Sequence, residues 1–506
     1  MPPDPLDPTP AARPSTAAHL LDGLVECGIE HLFCNLGTDP VGLIEAMAQF
    51  KRLGRPQPRV ILCPHENVAL HMAGGYATVT GRGQGVMVHV DAGTANAAMG
   101  MHNLVRSRLP VLLMAGRAPF TLRGELPGAR DNYVHHVQDP FDIGSLVRPY
   151  VKWEYSLPSG VVTKEVLRRA HTVMQSDPPG PVYLTLTRET LAETWAPGRV
   201  ASLPARQHGA VRSCGLSAEQ AGAITERLMR AERPVALTAY LGRNPAAVPV
   251  LEALALACGI RVCEFTPWAM SISRESPCFG GFDSAQALQG TDLGLLLEVD
   301  VPWLPRFASP DAATDWLQID VDPLKKDFPM WGFAARLRLQ ADCASALAQV
   351  HQAVLARADA AFQARVAARI ASWEGANAQR RAQVAAAAAD PGRMGAISAA
   401  HLCALLGAAI SAQDIVVNEA IRNSPAVLTQ IPRTVPGTLI GSPGGGLGYS
   451  GGMALGAKLA QPSRRVLQIV GDGVFTSPHP PRSTRWPSAS ACRSSPWCWT
   501  TAAGRP

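Results

Sequence analysis

Glu66 stands in PHENVALHMAGGYATVTG (64–81), directly after the apolar run RVILC and where a helical pattern begins. In open α/β sheets the carboxyl ends of strands line the ligand crevice. A partly desolvated carboxyl group there exchanges protons nearer neutrality than a solvated one. The same carboxylate also suits a helix N-terminus with no further role, and the residues alone leave both readings open. A second constellation is GSPGGGLGYSGGMALGAKLAQPSRRVLQIVGDGVF (441–475). Its glycines let backbone approach a ligand closely, and the helix that follows turns its positive end toward phosphate. Within it, Gly471-Asp472-Gly473 follows the apolar RVLQIV and offers a hard oxygen ligand for a metal beside a phosphate. His135 and His136, in NYVHHVQD, are either proton donors that titrate near neutrality or two residues of a surface loop.

The glycine run contains a competing match. Gly446-Leu447-Gly448-Tyr449-Ser450-Gly451 fits G-x-G-x-x-G, and Asp472 lies where a dinucleotide fold keeps its ribose acid. That fingerprint follows a strand directly, whereas VPGTLIGSPGG carries Pro436 and Pro443 and leaves room for a three-residue strand at most. No Gly-Lys-Ser/Thr closes the run, so it is not a P-loop either.

These residues need a scaffold, and the chain supplies one by alternation. From Thr16 onward, helix-periodic segments (AAHLLDGLVECG, GLIEAMAQF) alternate with short β-rich ones (IEHLFCNLG, RVILCP, GVMVHVDAG, PVLLMAG). Such spacing predicts βα units and a parallel sheet. After the Pro/Gly/Arg-rich stretch WAPGRVASLPARQHGAVRSCG come the strand candidates PVALTAYLG, RVCEF, LGLLLEVD and WLQIDVD. Residues 351–390 are mostly helix formers, ended by Asp390-Pro391-Gly392. A last block holds DIVVNEA, the glycine run and RVLQIVGDGVF. The expected fold is α/β, with three successive doubly wound parallel-sheet domains, the third incomplete. The expected ranges are 15–195, 210–345, a helical connector at 351–392, 395–475, and an aberrant tail at 476–506.

Bulk properties exclude several classes. Among 506 residues, 47% hydrophobic and 17% charged content describes a core-forming chain. The formal charge of +6 owes much to the tail, whose four arginines face no acid; without it 42 basic residues oppose 40 acidic ones. No basic stripe interleaved with aromatics occurs elsewhere, so nucleic-acid binding is not expected. Eleven scattered cysteines include no CxxC pair, which argues for free thiols in a reducing compartment rather than zinc or disulfides. The proline-rich start lacks a signal-peptide core, and no apolar run approaches a membrane span, so a cytoplasmic protein is expected.

The HE followed by a helix ending in GGYA, the VDAGTANAAMG turn, the central QIDVDP, then GGGLG and GDG together resemble a known family. In that order and spacing they are similar to the thiamine diphosphate-dependent enzymes of the acetolactate synthase and benzoylformate decarboxylase type. The resemblance implies an aminopyrimidine-binding, a central and a diphosphate-binding domain, with thiamine diphosphate and Mg²⁺ as cofactors. It implies that Glu66 protonates the aminopyrimidine N1′, that Leu447 props the cofactor into a bent shape, and that Asp472 ligates Mg²⁺. Gly446, Gly448, Gly471 and Gly473 would pass close to the cofactor, while Gly37, Thr38 and Asn96 would line the pocket of the first domain. The implied substrate is a small 2-oxo acid, and the implied assembly a homodimer or homotetramer. Acetolactate synthase-like carboligation is the first expectation and simple 2-oxo acid decarboxylation the second. Whether FAD sits in the central domain is left open.

The tail departs from this pattern. The family's aspartate works with an asparagine about a strand and a helix further on, and none follows here. From Thr476 to Pro506 there is no Val, Ile, Leu, Met, Phe, Asp, Glu or Lys, and no helix or strand period. Back-translated with GC-rich codons and read two bases later, RSTRWPSASACRSSPWCWTTAAGRP yields LYALAERIGLPVVPVVLDNGGWRP as one permitted solution. That restores a helix, a strand and the asparagine, so a frameshifted, truncated copy of a longer enzyme is expected. A genuine divergent tail is the alternative, which would leave an inactive remnant or a nucleotide-binding module.

Overall fold

Three parallel sheets carry the chain in this computed structural model, which describes residues 13–202, 204–442, 444–476 and 495–499. By contacts the described residues fall into two units. The first holds those through Val211 together with Gly444–Ala460; the second holds those from Arg212 onward outside that segment.

The first unit is built on β1 (His31–Cys34), β2 (Arg59–Leu62), β3 (Gln84–Val88), β4 (Val111–Arg117), β5 (Glu154–Ser156) and β6 (Val182–Thr187). They lie in the order β2-β1-β3-β4-β6-β5, every pair parallel. β4, VLLMAGR, is buried on both faces, which explains its unbroken apolar run. Leu112 and Met114 turn toward a core shared with the helices Thr16–Glu26, Val41–Arg52 and Thr163–Gln175. The helices Glu66–Thr80 and Val90–Arg106 also pack on this sheet.

The sequence reading of GVMVHVDAG as one β-rich segment is corrected. β3 ends at Val88 and a helix begins at Val90. The apolar run hides a sharp turn, in which Val90 takes a φ of +28°.

The second unit opens with β7 (Pro234–Thr238), β8 (Arg261–Glu264), β9 (Phe279–Gly281), β10 (Leu293–Leu297), β11 (Asp315–Asp320) and β12 (Leu337–Gln340). Their order is β12-β11-β10-β7-β8-β9. The carboxyl ends of this sheet are occupied by the chain's own buried ion pairs. Arg274 sits 2.6 Å from Glu264, Arg243 2.7 Å from Glu298, and Lys325 2.7 Å from both Asp300 and Asp320. The expected connector, 351–392, takes in the end of the helix Cys343–Leu355 and all of the helices Ala360–Ser372 and Glu374–Ala389; Asp342 and Asp359 cap the first two.

After a two-residue hairpin of β13 (Gly392–Arg393) and β14 (Ala396–Ile397), the last sheet forms. It comprises β15 (Ile415–Glu419), β16 (Leu439–Ile440), β17 (Val466–Gly471) and β18 (Ser495–Trp499), in the order β16-β15-β17-β18 and parallel throughout. β18 lies in the tail, where no helix or strand period can be read. The open edge of β17 presents backbone donors and acceptors that pair without any hydrophobic period, and an edge strand tolerates Pro496. Residues 477–494 and 500–506, on which most of the frameshift reading rests, lie outside the described residues.

Candidate functional site

Glu66 is placed by β2 and the turn Cys63-Pro64-His65 that ends it. The His65 ring caps the helix, its Nδ1 accepting from the Asn67 N–H at 3.1 Å, so the helix starts at Glu66 itself. The Glu66 side chain is buried, and one oxygen accepts from Asn96 Nδ2 at 3.2 Å. Beside the other oxygen stands Gly93, where an added Cβ would lie 3.4 Å away. The His65 Nδ1 lies 3.7 Å from the oxygen that Asn96 engages.

The glycine run meets the same unit. Its helix, Ser450–Ala460, crosses the Glu66 helix at backbone contact: a Cβ on Gly75 would lie 2.2 Å from the Met453 carbonyl oxygen. A Cβ on Gly456 would lie 2.0 Å from that of Met72. The loop before it is pinned by Asn103, whose Nδ2 donates to Gly446 O at 2.9 Å and whose Oδ1 accepts from Gly446 N at 3.2 Å. Asn103 Nδ2 also donates to His71 Nε2 at 3.1 Å, and His71 Nδ1 donates to Asn67 O at 2.8 Å. These bonds require neutral His71, and burial pushes its pKa down to about 4. Leu447 is left 48% exposed at the tip of this loop, and Gly448 turns with a φ of +89°. Glu66, Asn96 and Gly446–Gly448 therefore share one unit.

Gly37 and Thr38 lie just past β1, next to Asp39, which is buried and ion-paired with His89. A Cβ on Gly37 would strike the His89 ring at 2.0 Å, so only glycine leaves His89 its place. The hydrogen bond that His89 Nδ1 donates to Asp39 pushes the His89 pKa up, and Asp39 Oδ2 has no hydrogen-bond partner among the described residues. His135 is buried, 3.3 Å from Asp131 and 3.4 Å from Arg188, and burial together with the Arg188 charge lowers its pKa. His136 is exposed, 3.4 Å from Arg130. The histidine pair is thus split, with one ring in an ion network and the other at the surface.

Gly471, Asp472 and Gly473 belong to the second unit, at the carboxyl end of β17 and the start of a short helix, Asp472–Thr476. A Cβ on either glycine would meet nothing within 4 Å among the described residues. In the same unit a cavity of about 1160 Å³ lies at the carboxyl ends of β8, β15 and β16, with Asn418, Ser424 and Ser442 in its wall. No group of three His, Cys, Asp or Glu side chains among the described residues is arranged to hold a metal.

Two family profiles match this chain: "Thiamine pyrophosphate enzyme, N-terminal TPP binding domain" over residues 14–146, and its C-terminal counterpart over 423–480. The chain belongs to the thiamine pyrophosphate enzymes. Benzoylformate decarboxylase of Pseudomonas aeruginosa is 28% identical over 431 residues, 82% of this chain and 74% of that one. The acetolactate synthase large subunit of Buchnera aphidicola is 26% identical over 180 residues, 36% of this chain and 29% of that one. Among solved structures, a Rhodococcus jostii thiamine diphosphate-dependent 4-hydroxybenzoylformate decarboxylase shares the fold, with a TM-score of 0.75 and 21% identity. That likeness covers 96% of this chain and 86% of that one.

A thiamine pyrophosphate enzyme must seat a pyrimidine ring and a diphosphate, and the residues present fit both. Glu66 and the pinned loop around Leu447 are candidates for the ring, and Asp472 is a candidate for the diphosphate only through a cation that both would bind. Two groups beside these were not singled out in the sequence. His89 was hidden inside an apolar run, and Asn103, which His71 accepts from, meets Gly446 only through tertiary packing. The available signal for His71 was a lone histidine four residues after Asn67 in an otherwise apolar helix.

Proposed function

We propose that this thiamine pyrophosphate enzyme decarboxylates a small 2-oxo acid. The observation that carries this is the buried Glu66 carboxylate at the head of its helix, in the same unit as a glycine loop fixed by Asn103. Thiamine diphosphate, when bound, supplies the carbon nucleophile and the electron sink that the chain's side chains lack. Glu66 then holds and moves a proton at the aminopyrimidine N1′. Leu447 gives the ring an apolar support. Asp472 would supply one carboxylate oxygen to a Mg²⁺ that accompanies the cofactor, a hard cation suited to such a ligand. His89, whose protonated form Asp39 favours, presents a proton donor at the carboxyl end of β3.

Decarboxylation is placed first because the likeness to a benzoylformate decarboxylase spans most of both chains. Carboligation is the second reading, supported by the shorter likeness to acetolactate synthase subunits. We further propose a homodimer or homotetramer in a reducing, cytoplasmic setting. Nine cysteines from Cys27 to Cys403 are free thiols, and no described helix is long and apolar enough to cross a membrane.

The test is CO₂ release from benzoylformate and pyruvate with thiamine diphosphate and Mg²⁺. The expected result is cofactor-dependent release that falls about 10²–10⁴-fold in Glu66→Gln, with circular dichroism unchanged. Acetolactate formed from pyruvate would favour the second reading. Cofactor bound to folded protein with no CO₂ released from either acid would overturn both.

A further inference from the structure

A second cavity, of about 1070 Å³, opens within the second unit at the opposite end of the central sheet, where β7 and β8 begin. The helices Ala360–Ser372 and Glu374–Ala389 form its other wall. Six arginines line it: Arg230, Arg233, Arg261, Arg365, Arg369 and Arg380.

Their partners are mostly neutral. Arg261 donates to Pro277 O at 3.0 Å and to Asn377 Oδ1 at 2.7 Å. Arg369 donates to Ala231 O at 2.6 Å and Cys258 O at 2.8 Å, and Arg365 to Met229 O at 2.6 Å. Arg380 lies over the Phe279 ring at 5.0 Å. Only Arg230 reaches a carboxylate, Glu226 at 3.9 Å. Two acids stand nearby. Glu232 lines the cavity, and Asp292 is engaged by the backbone N–H groups of Glu232 and Arg233.

Carbonyl bonds orient a guanidinium without neutralising it. Like charges gathered in a concave, partly desolvated wall repel one another more strongly than in open water. Burial lowers the pKa of Arg261, to about 10, and of Arg380, and the Arg380 charge adds to the effect on Arg261. Trp373, whose ring lies 5.1 Å from the Arg261 guanidinium, adds a flat apolar wall.

We propose that this cavity binds a small polyanion carrying two or more phosphate or carboxylate groups, because planar guanidiniums with free donors suit both. Its lining includes none of the residues assigned to the cofactor, and the proposal does not rest on that assignment.

Calorimetric titration of the full chain with sodium tripolyphosphate and, separately, with citrate tests it. Gln379 lines the cavity at an exposed position, so Gln379→Glu places a competing negative charge there without removing a structural bond. The expected result is one site per chain for at least one probe, weakened about tenfold or more in Gln379→Glu. Gln379→Ala should retain binding and Arg380→Gln should weaken it, with circular dichroism unchanged in all three. Preference for tripolyphosphate assigns a phosphate ligand, and preference for citrate a carboxylate one. Failure of both probes to bind, or binding indifferent to Gln379→Glu and Arg380→Gln, overturns the proposal.

Discussion

Gly456→Ala concentrates the packing argument into one methyl group. The new Cβ would lie 2.0 Å from Met72 O and 2.8 Å from Tyr76 N, both backbone atoms of the Glu66 helix. No rotamer relieves this, so the helices must part by about 1.4 Å to restore an ordinary contact. Overpacking of this kind costs about 1–3 kcal/mol, and rigid backbone neighbours put it near the upper end. Alanine returns about 1 kcal/mol of helix propensity, leaving a net loss of about 2 kcal/mol. For a domain of this size that lowers the melting temperature by about 4–8 °C. The shift also carries the Gly446 loop away from Asn103, breaking bonds of 2.9 and 3.2 Å. Misplacing a positioning loop by about 1 Å costs on the order of 100-fold in kcat/KM. Thermal melts and cofactor titrations check both effects. Gly222→Ala serves as the control of opposite sign, because its helix position has nothing within 4 Å and should gain about 0.5–1 kcal/mol. An unchanged melting temperature in Gly456→Ala, with full cofactor affinity, would refute the close crossing of these helices.

Two further expectations concern protons. Because the folded pKa of His71 lies below its ordinary value, at about 4, its contribution to stability is complete above about pH 6.5 and fades as pH falls toward 4. The loss is at most about 3 kcal/mol, and the urea midpoint of His71→Gln should fall less over this window than that of the parent chain. His89 runs the other way. Its raised pKa makes its pairing with Asp39 fully stabilising below about pH 6.5, and that contribution is lost as pH rises through the folded pKa. In Asp39→Asn the His89 ring should titrate at lower pH by NMR; an unmoved midpoint would show that Asp39 does not set its charge.

What the sequence disclosed follows from burial. β4, β7 and β10 read clearly because both faces of a covered parallel sheet are apolar, giving runs such as VLLMAG and LGLLL. β12, with an exposed Arg338, and the two-residue β16 carry too little pattern to be read. Glu66 and Asp472 were legible because each follows an apolar strand at a sharp change of composition. His89 was not, since VMVHVDAG runs apolar across the junction of strand and helix. Asn103 lies 343 positions before Gly446, and no local pattern announces that such residues will meet.

The backbone itself marks these places. Val90 and Ile421, both β-branched, hold positive φ angles of +28° and +44° just beyond β3 and β15. Such a conformation costs on the order of 1–3 kcal/mol for a residue of this shape, and persists only where the surroundings over-determine it. At Val90 the surroundings are identifiable: the side chain is buried, and Thr94 Oγ1 donates to its carbonyl oxygen at 2.7 Å. The turn so fixed ends β3 at Val88 and starts the next helix at Val90, leaving His89 between them beside Asp39 and Gly37. At Ile421 the turn follows Asn418, which donates to Ser424 Oγ at 2.8 Å in the wall of the larger cavity. Such φ angles recur at Thr266, Glu298 and Lys325, past β8, β10 and β11, so this strain lies beyond the carboxyl ends of strands in all three sheets. The fold sustains it there because the strands behind, buried on both faces, cannot shift to relieve it.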